Sequence, residues 1–139
     1  MKPVPPQNAK FKDLTPILKG YPEIELAFLF GSFAGGMVTA ESDVDIAILC
    51  TQVPSFDRRE EIREALCAGM NREIDLVVLN GASPILRMQV LKKGIILIDN
   101  ASVYEDFFVR TTGEYDDLKR VRKGIEERIL RGGIGGVHA

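Results

Sequence analysis

Asp43 and Asp45 open a run, DVDIAILC (43–50), that is otherwise apolar. Residues of this composition read as a strand, and side chains in a strand alternate between faces. Asp43, Asp45, Ala47 and Leu49 therefore share one face, while Val44, Ile46 and Ile48 share the other. With a rise of about 3.3 Å per residue, the two carboxylates stand roughly 6–7 Å apart and point the same way. Two anions so placed repel, and a half-buried setting worsens the repulsion. A hard cation between them removes it. Carboxylate oxygens suit Mg²⁺, which keeps several waters and takes further ligands from substrate phosphates.

A third acid joins this pair. Asp75 lies within REIDLVVLN (72–80), a second apolar run that reads as a strand. An acid inside such a run needs a partner to stay charged. If the two strands are neighbours, Asp75 faces Asp43 and Asp45. Three carboxylates on adjacent strands can hold two metal ions about 3.5–4 Å apart, which activate an attacking oxygen and stabilise a leaving one in an in-line phosphoryl displacement. Upstream, Gly31-Ser32 ends the apolar run EIELAFLF (23–30). Glycine lets a phosphate approach the backbone, and the loop amides and the Ser32 hydroxyl supply donors. A phosphate seat beside a metal-binding acid pair is what nucleotidyl transfer needs.

Gly31-Ser32, ten residues, then Asp43-Val44-Asp45 resembles the GS-x10-DxD signature of the DNA polymerase beta type nucleotidyltransferases. The short chain and the later strand aspartate resemble the minimal nucleotidyltransferases, and more narrowly the MntA-like antitoxins paired with HEPN-domain toxins (HepT). The resemblance implies that Gly31 and Ser32 bind the triphosphate of ATP. It also implies that Asp43, Asp45 and Asp75 bind Mg²⁺, two ions in all, with Asp75 assisting the attacking hydroxyl. It further implies that AMP is transferred from ATP to a tyrosine of a cognate HEPN ribonuclease toxin, which neutralises it. Many relatives read GSxARG, whereas this chain has Gly35 at the arginine position. Two other readings of the same residues stay open: transfer to a hydroxyl of a small molecule, and a non-catalytic antitoxin that binds its toxin stoichiometrically.

The elements that must position these residues follow from pattern. A short helix in FKDLTPILKG is interrupted by Pro16 and ended by Gly20. Strands are expected over 23–30, 43–50, 72–80 and 94–100. Between them, residues 57–68 form a helix opened by an Asp57/Glu60 capping pair. A second runs from Ser83-Pro84, as N-cap and first residue, to Lys93. A final helical segment, 102–131, starts with a Ser102/Glu105 capping box and is divisible at Gly113. Its stripe Leu118, Val121, Ile125, Ile129 reads as core. Its basic residues Lys119, Arg120, Arg122, Lys123, Arg128 and Arg131 read as a solvated face matched by Asp116, Asp117, Glu126 and Glu127. Residues 132–139 read as a flexible glycine-rich tail. The whole chain, 1–139, is thus expected to be one α/β (α+β) nucleotidyltransferase domain. Its core spans about 10–100 and holds a mixed sheet with flanking helices, of partly open strand order.

Composition narrows the remaining classes. The 139 residues are 45% hydrophobic and 27% charged, with net charge −2. That balance argues against a large nucleic-acid surface, and no direct nucleic-acid binding is expected. No apolar run approaches the ~20 residues of a membrane span. MKPVPPQNAK lacks the apolar stretch of a signal peptide, so a cytoplasmic location is expected. Cys50 and Cys67 are far apart and form no metal-type motif; they read as buried thiols. His138 is the only histidine, which makes histidine-dependent catalysis improbable.

Overall fold

A computed structural model of the chain describes the backbone of residues 9–31 and 44–138, and the side chains of 14–31 and 44–130. Helix α1 (Ala9–Lys19) leads into strand β1 (Ile24–Phe30) and then strand β2 (Val44–Cys50). Helix α2 (Phe56–Met70), strand β3 (Ile74–Val78), helix α3 (Pro84–Lys93), strand β4 (Ile95–Ile98) and helix α4 (Ala101–His138) follow. The four strands form one mixed sheet of order β3-β2-β1-β4. β1 runs antiparallel to both β2 and β4, while β2 and β3 are parallel, as a crossover through α2 requires. This supplies the strand order that pattern left open.

The sheet is covered on both faces, which is why its strands are apolar nearly throughout. One face carries Ala27, Leu29, Val44, Ile46, Ile48, Ile74 and Leu76 against Leu14 and Leu18 of α1 and Ile62 and Leu66 of α2. The other carries Leu26, Phe28 and Ala47 against Val90 of α3 and Phe107 of α4. A bulge between Ile24 and Leu26 lets Ile24 join the first face, although it stands two residues from Leu26 on the second.

The helix boundaries correct several expectations. α1 is continuous through Pro16. Leu14 and Leu18, both fully buried, anchor the turns on either side of it. α2 begins one residue earlier than expected, and Ser55, not Asp57, is its N-cap, accepting from the Arg58 amide at 3.1 Å. α3 is capped by Ser83 with Pro84 in the first turn, as expected. α4 is capped by Asn100 and not by Ser102: the Asn100 carbonyl accepts from the Tyr104 amide at 2.8 Å, and its side-chain oxygen accepts from the Ser102 hydroxyl. α4 passes Gly113 unbroken and continues to His138, through the segment that composition reads as a tail. Helix propagation adds one hydrogen bond per residue once a long helix exists, so isolated glycines weaken it without ending it. No helix among the described residues is long and apolar enough to cross a membrane.

Candidate active site

β2 starts with its acid at the sheet's margin. The Val44 amide donates to the Glu73 carbonyl at 3.1 Å, which fixes the entry of β2 alongside β3. The parallel register then sets Asp45 opposite Asp75. Directly paired residues on neighbouring strands share a face, and neighbouring strands lie about 4.8 Å apart. Asp45 and Asp75 therefore form an acid pair across β2 and β3, which are neighbours in the sheet. On the other side Asp45 is opposite Phe30 of β1. Phe30, Asp45 and Asp75 thus form one row across three strands, on the face that α3 and α4 cover farther along. The half-buried Phe30 ring packs against the second core cluster and gives the acids a low-dielectric flank.

The two acids differ in environment. Asp45 is half-buried, whereas Asp75 is exposed on the edge strand. Among the described residues β3 is the edge strand of the sheet, so the Asp75 carboxylate faces solvent. Asp43 and Ser32 lie outside the described residues, and Gly35 does as well. Gly31 is described and is unusual in two ways. Its φ is +78°, in the region that L side chains rarely adopt. A Cβ built on it would also overlap the Asp45 carboxylate at Oδ2, with Asp45 Cγ only 3.1 Å away. Gly31 is thus the floor on which the Asp45 carboxylate rests, a role that spacing alone did not disclose.

The residue types fit a divalent cation. Two carboxylates at adjacent rungs present hard oxygens to a common point, and Mg²⁺ needs only one or two such groups. Among the described residues no cluster of three potential ligands forms; the third acid of the sequence motif, Asp43, falls outside them. Of the two thiols expected to be buried, Cys67 is half-buried. Cys50 is buried and its pKa is pushed up to about 11, first by burial and then by Glu23 and Glu25. The other end of β2 is held by a different device. The Asn80 side chain accepts from the Cys50 amide at 2.9 Å and donates to its carbonyl at 2.7 Å, adding a rung where β3 has ended in a 3-10 turn over Leu79–Gly81. The Asn80-Gly81 dipeptide reads only as a turn in the sequence.

The comparisons agree with this geometry. Residues 12–102 match the family model described as polymerase beta, nucleotidyltransferase. The chain is 32% identical to the protein adenylyltransferase MntA of Shewanella oneidensis MR-1 over 109 residues, covering 78% of each chain. Its fold is similar to that in a crystal structure of a toxin-antitoxin with AMP-PNP, with a TM-score of 0.75, 30% identity and coverage of 86% of this chain and 98% of that one. It is also similar to a structure of tri-AMPylated Shewanella oneidensis HEPN toxin in complex with MNT antitoxin, with a TM-score of 0.70, 28% identity and coverage of 87% and 96%. The acid row, the glycine beneath it and these likenesses have one reading: the chain belongs to the polymerase beta nucleotidyltransferase family.

Proposed function

We propose that the chain is the antitoxin of a toxin-antitoxin pair and acts as a protein adenylyltransferase. It would transfer AMP from ATP to a tyrosine hydroxyl of a cognate HEPN-domain ribonuclease toxin and so neutralise it. The observation that carries the chemistry is the Asp45–Asp75 pair in register beside Gly31. The acceptor class is supported by likeness to an adenylyltransferase and to a complex that holds an AMPylated HEPN toxin.

In the step itself the acceptor oxygen bonds to the α-phosphorus of ATP, the bond from that phosphorus to the bridging oxygen breaks, and pyrophosphate leaves. Asp45, Asp75 and Asp43 would hold Mg²⁺, as two ions, which supplies charge neutralisation on the phosphates. Asp45 stands beside Gly31 and opposite Phe30. Asp75, on the open edge, would accept the acceptor's proton, because an exposed carboxylate is reachable from solvent and from a docked partner alike. Gly31 and Ser32 would seat the triphosphate.

The test is an incubation with labelled ATP, Mg²⁺ and a co-encoded HEPN protein, read by intact mass. Wild type should add mass in AMP units, and Asp45→Asn should not, at unchanged melting temperature. A soluble partner that gains no mass with wild type would refute the reading. Labelling of small hydroxylated compounds instead would favour the small-molecule alternative.

A further inference from the structure

Sequence pattern reads Leu118, Val121, Ile125 and Ile129 of α4 as core, and the structure leaves them bare: they stand 40%, 61%, 45% and 42% exposed. The same stripe is covered farther back along the helix. Phe107 packs against the sheet, Thr111 is fully buried, and Glu114 pairs with Arg87 of α3. From Phe107 through Thr111, Glu114, Leu118 and Val121 to Ile125 the steps alternate between four residues and three. That is the spacing of a seam between packed helices. α3 ends at Lys93, and beyond it the second half of the seam lies open to solvent. A helix standing free of the body is marginal in water, and an apolar stripe along it favours a partner.

The place and length of the open seam select its occupant. Ile95, which follows the end of α3, pairs with Leu29, the neighbour of Phe30, and Phe30 is opposite Asp45. Lys92 therefore lies at the acid end of the sheet. Its Nζ is 5.7 Å from the Tyr115 ring centroid, so α4 leaves the body at that end. A protein seated on Leu118, Val121, Ile125 and Ile129 is thus held at the same end of the molecule as Asp45 and Asp75. A second copy of this chain fits the seam poorly. Leu118 to Ile129 is under two heptads, Arg128 takes the seam position after Ile125, and in the sequence the next positions on the stripe are Gly132 and Gly136. A pairing of two such helices needs about three heptads. A stable interface also buries about 800 Å² on each side, more than four side chains of one helix supply. A folded acceptor makes up the difference with its contacts around the acids.

We propose that Leu118, Val121, Ile125 and Ile129 seat a helix of the acceptor protein, so that the free half of α4 docks the substrate that the acid row modifies. The proposal rests on the adenylyl-transfer reading above. The family match ends at residue 102, so α4 lies outside the part of the chain that nucleotidyl transfer as such requires. A small hydroxylated acceptor has no use for an apolar arm, whereas a helical protein does. Asp117 and Arg122 flank the stripe on opposite sides. The helix that fits therefore carries apolar residues at seam spacing, with a cation along one flank and an acid along the other.

The test uses the full chain with Val121→Lys and Ile125→Lys together. Both positions are exposed, and an unchanged melting temperature is the folding control. Binding to a co-encoded HEPN protein is measured by calorimetry without ATP. Affinity should fall at least about 10-fold, the loss expected when two central apolar residues of an interface are replaced by charges. With ATP and Mg²⁺, KM for that acceptor should rise by the same factor, while kcat at saturating acceptor stays at the wild-type value. Lys123→Gln, on the opposite side of the helix, should alter neither. Wild-type affinity in the double variant overturns the proposal, and so does a fall in kcat at unchanged KM. Light scattering supplies a third readout. A wild-type dimer that the substitutions convert to monomer, with acceptor binding untouched, would assign the seam to a second copy and overturn the proposal as well. The two readings fail separately. If wild type binds the acceptor and adds no AMP, the transfer reading falls and the affinity comparison still decides the docking. If wild type and the double variant transfer AMP with the same KM, the docking falls alone.

Discussion

The Asp45 carboxylate rests against the α-carbon of Gly31, in the space where any side chain would stand. Gly31 also has φ +78°, so two independent demands fall on one residue. Gly31→Ala meets both. The positive φ costs about 1–2 kcal/mol for a non-glycine residue, and the new methyl displaces the carboxylate. We expect a lower melting temperature together with a loss of AMP transfer on the order of 100-fold, the effect of misplacing a reacting group by about 1 Å. Calorimetric titration with ATP in the presence and absence of Mg²⁺ separates the causes. A seat for Asp45 loses the Mg²⁺-dependent part of binding first. Transfer at the wild-type rate in a destabilised variant would show that the carboxylate finds its place without this floor.

The two acids should respond unequally to neutralisation. Asp45 is half-buried between Phe30 and Asp75, whereas Asp75 is exposed on the edge strand. Asp45→Asn removes charge from a fixed position, and its transfer rate should stay low at every Mg²⁺ concentration. Asp75→Asn removes charge from a solvated one, so raised Mg²⁺ should restore part of the rate. A Mg²⁺ titration of initial rates for both variants checks this; equal recovery in the two would contradict the difference in their environments.

Much of this site can be read from residue types. The face shared by Asp45, Ala47 and Leu49 follows from period two, and it holds because both sheet faces are buried and a one-residue slip would invert them. The partnership of Asp45 with Asp75 follows only if β2 and β3 are neighbours, and pattern does not give strand order; the crossover through α2 does. The seat on Gly31 was not legible, since it depends on how closely a turn approaches a strand two positions inside its neighbour. Cap positions failed for a related reason. Ser55 and Asp57, or Asn100 and Ser102, are equally good caps by type, and only where the preceding strand or turn releases the chain chooses between them.

Arg87 is a nearly buried cation whose loss should destabilise the fold without touching the acids. Its side chain is 12% exposed. Nε donates to the Leu79 carbonyl at 2.9 Å, Nη2 to the Asn80 carbonyl at 2.7 Å and Nη1 to Glu114 at 3.3 Å, and the guanidinium lies 5.6 Å from the Phe107 ring centroid. It thereby locks the turn that presents Asn80 to Cys50. Arg87→Met keeps the stem but removes the charged donor from the Leu79 and Asn80 carbonyls, leaving Leu79 only its 3.2 Å bond from the Ala82 amide, at a cost of about 1.5–3 kcal/mol. Arg110→Met is the control. Arg110 is exposed and pairs, among the described residues, with Asp106 four residues away, a contact worth less than about 0.5 kcal/mol. Urea denaturation of the two variants should separate them clearly, and similar midpoints would remove Arg87 from its proposed place in the fold.

The contact between α2 and the start of β1 should be sensitive to acid. Arg58 donates through Nε and Nη2 to the two carboxylate oxygens of Glu23, at 2.5 and 3.2 Å, and its guanidinium lies 4.7 Å from the Tyr21 ring centroid. The Arg58 hydrogen bonds hold the Glu23 carboxyl below its ordinary value of 4.5, against a smaller opposing effect of burial. A carboxylate whose pKa is lowered on folding contributes stability above the unfolded value, and that contribution fades as pH falls through the folded value. Wild type should therefore melt modestly above Glu23→Gln at pH 7, and the difference should narrow from about pH 4.5 downward until it vanishes. Both groups are partly exposed, so the difference is small and added salt shrinks it further. Melting curves of the two proteins at pH 7, 5, 4 and 3, at low and high salt, test the sign as well as the size. A gap that widens on acidification would mean that Glu23 is held protonated in the fold, and the fork with Arg58 would then be the wrong account of what joins α2 to β1.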